Sequence, residues 1–186
     1  MSKIFALGFV LFLTGWAHRH PKAARFDEAL FLQIHRACAK CAPIFKILWV
    51  FGTLPAAFAA ASVIAWLGGI KYGAYSLLAY LIAVAIERAI KETIRRPRPY
   101  QSLASAEMKQ PREPSDTSFP SGDALRAWLF ALALAAFVPT WAAWLLFGIA
   151  FAVSIGRMVL GVHHPLDVLT GTGMGLMAGA LLRMLW

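Results

Sequence analysis

The chain has 186 residues, 60% of them hydrophobic and only 15% charged, with a formal net charge of +9. Soluble domains run roughly 45–50% apolar and about 25% charged, so this composition excludes an ordinary water-soluble domain and points to a bilayer. The basic residues lie between apolar runs, which fits anionic headgroups or a phosphorylated substrate and excludes nucleic acid as the partner.

The length predicts one membrane-embedded domain over residues 1–186, built of several spans. Cys38 and Cys41 form a CxxC, but nothing thioredoxin-like surrounds them and no second pair completes a zinc site. They are read as small apolar residues on one helical face.

Residues 4–17 form a 14-residue apolar run after Lys3. That is short against the roughly 17–25 residues of a span and is similar to a signal-peptide core. No small-x-small cleavage site follows, so a retained first helix is expected. Phe26, Leu30, Ile34 and Cys38 then recur every four residues, joined by Ala37 and Cys41, with Asp27, Arg36 and Lys40 elsewhere. This predicts an amphipathic helix in the membrane interface.

Residues 47–70 are uncharged and predict a single span. Residues 72–94 predict the next, with Glu87–Lys91 and Arg88–Glu92 at i,i+4 spacing near its end. A polar loop follows over 95–118. The uncharged stretch 127–156 is too long for one span, and Pro139 in "VPTW" splits it into helices over 120–138 and 141–157. The last span covers 168–185. The predicted fold is all-α and polytopic: six transmembrane helices plus the N-terminal interfacial helix. Trp16, Trp66, Trp141 and Trp186 fall near helix ends, as an aromatic belt would. Gly171, Gly175 and Gly179 mark one stripe for close helix packing; Gly148, Ala152 and Gly156 mark another.

Three polar clusters do not fit a plain bundle: 91–99, 118–123 and 156–167. Six spans bring all three to one membrane face. Lys91, Arg98 and Arg157 supply three cations, and Arg suits bidentate phosphate contact. Ser121 and Gly122 stand at a helix N-terminus, where free N–H groups favour an anion. His163 precedes Asp167 by four residues, and a carboxylate there fixes the imidazole tautomer. A nucleophilic His among cations and amides suits phosphoryl transfer without a metal.

The ordered spacing Lys-x6-Arg-Pro (Lys91, Arg98, Pro99), Pro-Ser-Gly (Pro120 to Gly122) and Arg-x5-His-x3-Asp (Arg157, His163, Asp167) resembles the type 2 phosphatidic acid phosphatase superfamily. The resemblance covers roughly residues 26–180. It implies a six-helix membrane enzyme without cofactor or metal that removes phosphate from lipid phosphates or diphosphates such as undecaprenyl diphosphate. It also implies His163 as nucleophile, forming a phosphohistidine, Asp167 as its support, and Lys91, Arg98, Ser121, Gly122 and Arg157 around the phosphate.

Two positions depart from the family's pattern. Gly156 stands where a Ser usually precedes the Arg, and Asp123 stands where a His usually serves as general acid. An ordinary Asp has a pKa of about 3.9 against about 6.5 for His, and nearby cations favour its charged form. A diphosphate's leaving group is itself a phosphate and needs little acid, which makes Asp123 tolerable, or lets it act as an acid with a pKa raised by burial. Otherwise Asp123 orients Arg126, His163 or water while His164 donates, or the site has lost turnover and the protein binds or transports lipid phosphate. A phosphotransferase between lipids is a further alternative. Arg126, one turn on, is expected to pair with Asp123 or reach the site. Arg95 and Arg96 read as flanking charge, and Glu92 and Asp116 as solvated.

Orientation is contested. The motif face carries Arg19, Lys22, Arg25, Arg36, Lys40, Lys46, Lys91, Arg95, Arg96, Arg98, Lys109, Arg112 and Arg157; the other face carries Lys3, Lys71 and Arg183. The positive-inside rule puts the site in the cytoplasm. The family resemblance, with a bacterial inner-membrane setting, implies the outer, periplasmic face.

Overall fold

The computed structural model describes residues 1–186 and contains helices and no strand. In chain order the helices are α1 (Ser2–Gly15), α2 (Pro21–Ala37), α3 (Ala42–Leu48), α4 (Leu54–Gly68), α5 (Ile70–Ile94), the single turn α6 (Pro99–Ser102), α7 (Gly122–Leu134), α8 (Thr140–Val159) and α9 (Pro165–Met184). The boundaries follow local chemistry. Pro opens α2, α4 and α9, where its missing N–H has no helical partner to lose. Ser121 caps α7. Arg95, left-handed at φ 49°, ends α5 two residues before Pro97.

Helix α7 lies at the centre: nine of its 13 residues are buried. The α9 stripe does what its spacing predicts. A Cβ on Gly171, Gly175 or Gly179 would strike Ser121 and Ala124, Leu125 and Trp128, or Leu129 and Leu132, so the α7 backbone runs directly against α9. On α9's other side Gly8 of α1 meets Gly173, and Gly15 meets Thr170. Helices α4 and α5 complete the bundle, and the largest core cluster gathers Ile64, Tyr80, Leu125, Leu129, Phe130 and Met174.

Several expectations change. The single span over 47–70 is broken: α3 with the 3-10 turn Trp49–Gly52 meets α4 at a 54° bend. Thr53 is extended there and caps the next helix, which carries Pro55 in its first turn. The break frees the Gly52 carbonyl, which accepts from Arg126 Nε at 2.6 Å. The α8 stripe is not a packing seam as a whole, because Gly148 faces open space and only Gly156 abuts Phe45. Helix α2 turns Asp27, Phe31 and His35 inward and leaves Phe26 exposed, so the face read as its apolar stripe is only partly buried, with Ile34 packing beside the Phe31 cluster. The helix ends at Ala37, leaving Cys38 as its cap and Cys41 in a 3-10 turn. Trp66 and Trp141 are exposed as a belt requires. Trp16 instead packs on Phe119, and Trp186 on Tyr72 and Phe137.

Three stretches are long and apolar enough to cross a membrane: Ile70–Ser102, Thr140–Val159 and Pro165–Met184. The bent pair Ala39–Gly52 and Leu54–Gly68 makes a fourth if taken as one span. Helices α1 and α7, with 14 and 13 residues, are shorter than that.

Candidate active site

The three polar clusters meet at one end of the bundle, around a cavity of about 600 Å³. Lys91, Arg98, Gly122, Asp123, Arg126, Arg157 and His163 all line it. Ser121 and Asp167 lie just behind, completely buried.

Lys91 comes from the last turns of α5. Its Nζ donates to Asp116 Oδ2 at 2.8 Å and to the Thr117 carbonyl at 2.9 Å, and lies 3.3 Å from Glu87 Oε1. The chain then leaves α5 extended, which carries Arg98 under the site. Arg98 is 2% exposed and donates to Asp116 Oδ1 at 2.6 Å and the Val162 carbonyl at 2.8 Å. Its Nη1 also reaches His163 Nε2 at 3.2 Å.

Arg157 sits in the last turn of α8, and its carbonyl accepts the amides of Val162 and His163. That wraps the chain back so that His163 lies beside Arg157. The turn needs Gly161 at φ +80°, where a side chain would also strike the Glu107 carbonyl. Arg157 donates to Gln110 Oε1. Its Nη1 is 2.9 Å from Asp123 Oδ2, an ion pair out of line for a hydrogen bond. Both Nη1 and Nε are buried without a hydrogen-bond acceptor.

His163 is 3% exposed. Burial first, and then Arg98, push its pKa down to about 3, so the ring is neutral at pH 7. An arginine only donates, so Nε2 facing Arg98 Nη1 is the acceptor nitrogen and the proton belongs on Nδ1. That Nδ1 has no hydrogen-bond partner and points toward Asp167 Oδ2 at 3.7 Å, beyond hydrogen-bond reach. The expected His163–Asp167 pairing is therefore present as proximity rather than as a closed bond. His164 is buried as well: its amide donates to Asp167 Oδ2 at 2.8 Å, and its Nδ1 lies 3.4 Å from the same oxygen.

Ser121 and Gly122 form the first turn of α7. The Ser121 amide donates to the Asp167 carbonyl at 3.0 Å, fixing α7 to α9 at the site. The Glu87 carboxylate packs against Gly122, where any Cβ would collide with it. Asp123 pairs with both Arg126 and Arg157, so the expected Asp123–Arg126 pair is present and shares its carboxylate with a second cation.

Four residues gain a place that the sequence did not give them. Asp116 is half exposed, as a solvated charge would be, and it also bridges Lys91 and Arg98. Burial alone would raise its carboxyl, but those two cations outweigh it and hold the pKa at about 2. Arg96 is no flanking charge: it joins Asp27 and Asp167 at 2.6 Å each. Gln110 holds Arg157, and Ser118 Oγ donates to Asp167 Oδ2. Arg96, two residues before Arg98, and Ser118, at the start of the 118–123 cluster, left a signal; Gln110 and Asp116 depend on how the 103–118 loop folds. The arrangement holds a neutral imidazole, its acceptor nitrogen facing Arg98, beside three cations and a helix N-terminus, which suits attack on an anionic phosphorus centre.

Comparison with known proteins gives the family and the fold. The sequence profile of the PAP2 superfamily matches residues 72–186. A protein of Sulfolobus acidocaldarius named undecaprenyl-diphosphatase is 35% identical over 107 residues, 56% of this chain and 50% of the relative. The match thus spans about half the length of that relative. The crystal structure of a PAP2-type phosphatidylglycerolphosphate phosphatase from Bacillus subtilis superposes with TM-score 0.77 at 24% identity, covering 100% of this chain and 96% of the other. Aquifex aeolicus LpxE superposes with TM-score 0.74 at 25% identity, covering 84% and 93%. A profile match over more than half of the sequence, on a fold shared with these two solved proteins, makes this chain a member of the PAP2 superfamily.

Proposed function

We propose that the protein is a membrane-bound lipid phosphatase acting on a lipid diphosphate, with a polyprenyl diphosphate such as undecaprenyl diphosphate as the best candidate. The observation that carries this reading is the buried, neutral His163 with its acceptor nitrogen turned to Arg98 in a cavity shared with Lys91 and Arg157. The name of the Sulfolobus acidocaldarius relative supports the substrate class.

In this mechanism the terminal phosphate takes hydrogen bonds from Lys91, Arg98 and Arg157 and from the Gly122 amide at the start of α7, the Ser121 amide being engaged by the Asp167 carbonyl. Drawing Arg98 onto phosphate oxygen frees the His163 Nε2 lone pair. Nε2 attacks phosphorus, the bond from phosphorus to the bridging oxygen breaks, and the lipid monophosphate leaves with that electron pair. The imidazole becomes cationic as the N–P bond forms, and Asp167 accepts from Nδ1–H. Water then attacks phosphorus, the N–P bond electrons return to His163, and inorganic phosphate departs. The leaving group is a weak base, so Asp123 need not act as a strong acid. Arg88 and Arg112, at the cavity rim, add charge for the second phosphate of a diphosphate.

Six membrane crossings fit this chemistry. Helix α1 extended by the 3-10 turn Trp16–Arg19 and α7 extended to residue 138 join the three long stretches and the bent α3–α4 pair. Helix α2 lies at the interface beside the site, with Phe26 toward lipid. The setting is a bacterial inner membrane; the facing of the site is read out by labelling a Cys placed at exposed Ser115, with Cys38 and Cys41 replaced.

The deciding experiment measures phosphate release from undecaprenyl diphosphate and from phosphatidic acid by the purified protein, with His163→Ala as control and with EDTA present. Release that requires His163, favours the diphosphate and survives the chelator is expected. Equal release by wild type and His163→Ala would sink the reading. Binding of lipid phosphate without release would replace it with a binding or transport role.

A further inference from the structure

Asp167 divides its two oxygens sharply. Oδ2 is shared among Ser118 Oγ, the His164 amide, His164 Nδ1 and, at 3.7 Å, His163 Nδ1. Oδ1 has one partner, Arg96 Nη1 at 2.6 Å. Arg96 on Oδ1, together with Ser118 and the His164 amide on Oδ2, fixes the plane of the carboxylate, so Arg96 helps set where Oδ2 stands relative to His163. The other arm of the guanidinium, Nη2, bonds Asp27 Oδ2 at 2.6 Å. Asp27 Oδ1 in turn accepts the Leu166 amide at 2.9 Å, one residue before Asp167. Helix α2 therefore grips the first turn of α9 twice, once through backbone and once through Arg96.

None of these three groups lines the cavity, so none is placed to touch phosphate. All are nearly dry: the Asp27 and Asp167 side chains are 0% exposed and that of Arg96 10%. Desolvating such a triad costs about as much as its attractions return, so stability alone is a weak reason for it. Its charge points to a role in the reaction. Two carboxylates on one guanidinium leave one net negative charge beside His163, where the ring turns cationic as its nitrogen bonds phosphorus. Outer-shell partners that orient metal-ligating histidines matter by about 10–100-fold, and the same scale is expected for a group orienting the partner of a nucleophilic histidine.

We propose that Arg96, held by Asp27 of α2, is a positioning residue that orients Asp167 behind His163 and makes the docking of α2 a condition of turnover. The inference rests on the phosphatase reading above and adds to it a part of the chain outside the matched residues 72–186.

The test compares kcat and KM for undecaprenyl diphosphate in wild type, Arg96→Gln, Arg96→Lys, Asp27→Asn and Arg98→Gln. Inhibition by inorganic phosphate reports whether the cation cradle is intact. Arg96→Gln is expected to lower kcat by about 10–100-fold with KM and phosphate inhibition unchanged, and Arg96→Lys to restore part of the loss. Asp27→Asn, nearly isosteric and remote from the cavity, should lower kcat several-fold in the same pattern. Arg98→Gln should instead raise KM and weaken phosphate inhibition. Wild-type kcat in both Arg96→Gln and Asp27→Asn overturns the inference, and so does a loss that always travels with lost phosphate inhibition. A wild-type protein that releases no phosphate overturns the phosphatase reading itself, and this inference with it.

Discussion

Asp123 Oδ2 lies 2.9 Å from Arg157 Nη1 inside the cavity, so the residue standing in the family's acid position is held by one of the cations expected to bind phosphate. The same carboxylate also pairs with Arg126. Asp123 is thus an internal anion at the place where an external one is expected to arrive. The cavity lining still favours anions, with Arg88, Lys91, Arg98, Arg112, Arg126 and Arg157 against Glu87, Asp116 and Asp123. An entering phosphate competes with Asp123 for Arg157 and gains the free donors that Arg157 keeps.

Two substitutions separate the consequences. Asp123→Asn removes the competing charge and should lower the inhibition constant of inorganic phosphate several-fold. Asp123→His supplies a group able to donate near neutral pH, and a well-placed acid contributes roughly 10²–10⁴-fold where the leaving group needs one. It should therefore raise kcat on a monophosphate ester such as phosphatidic acid by at least about tenfold, with little change on a diphosphate. Steady-state kinetics on both substrates checks this; no gain on the monophosphate removes the leaving-group account of Asp123.

Asp116 competes in the same way from the loop. Its two oxygens take Lys91 Nζ and Arg98 Nη2, while its backbone carbonyl separately takes Arg98 Nε at 2.9 Å. The backbone contact survives Asp116→Asn, so Arg98 stays in place while both cations lose a charged partner. The expected result is tighter inhibition by inorganic phosphate, several-fold, at nearly unchanged kcat. Weaker inhibition would mean that Asp116 holds the cations in position instead of competing for them.

How legible this site was depends on sequence distance. Lys91 to Arg98, Ser121 to Asp123 and Arg157 to Asp167 are local spacings, and topology alone brought them to one face. Asp123 with Arg126 is one helical turn, and the α9 glycines are a helical period, so both were readable. Arg96 with Asp27 spans 69 residues and Arg157 with Gln110 spans 47, and neither pairing leaves a periodic trace. The bend at Thr53 was hidden because an uncharged run gives no sign of a break, although Pro55 stands two residues beyond it. The inward face of α2 misled for a physical reason: its buried Asp27 and His35 are satisfied by tertiary partners, while Phe26 is free to meet lipid.

Protonation gives a prediction about stability. His163 has an ordinary pKa of 6.5 and a folded value of about 3, set first by burial and then by Arg98. Between those values the unfolded chain binds a proton that the folded chain does not, so stability falls as pH drops from 6.5 toward 3. The slope is up to about 1.4 kcal/mol per pH unit for one such group. Burial lowers His35 too, which adds in the same direction. Asp116, held at about 2, contributes stability above its ordinary value of 3.8 and loses it only as pH falls through 2, so it is silent in most of this window. Thermal unfolding in detergent should show Tm falling from pH 6.5 to 4.5, and less steeply in His163→Gln. A flat wild-type profile would mean that His163 is not buried neutral.

The glycine stripe of α9 connects packing to chemistry. Gly171 faces Ser121 and Ala124, and Gly175 faces Leu125 and Trp128. The contacts at Gly171 and Gly175 are with backbone, which cannot rotate aside as a side-chain tip does. The Ser121 amide to Asp167 carbonyl bond depends on that close approach, and it ties the α7 N-terminus to the segment bearing His163 and Asp167. Overpacking a tight seam costs about 1–3 kcal/mol, and separating the two helices also pulls the amide end of α7 away from His163. Gly171→Leu should therefore lower Tm and reduce kcat together, with Gly175→Leu acting more weakly because it lies a turn further from the site. Gly148 on α8 is the control, since nothing stands within 4 Å of the position its Cβ would take. Gly148→Leu should leave both Tm and kcat near wild type, and adds an apolar side chain where lipid is expected. Equal damage from Gly148→Leu and Gly171→Leu would show that bulk on any helix disturbs this protein, and would remove the α7–α9 seam as the reason the two motifs meet.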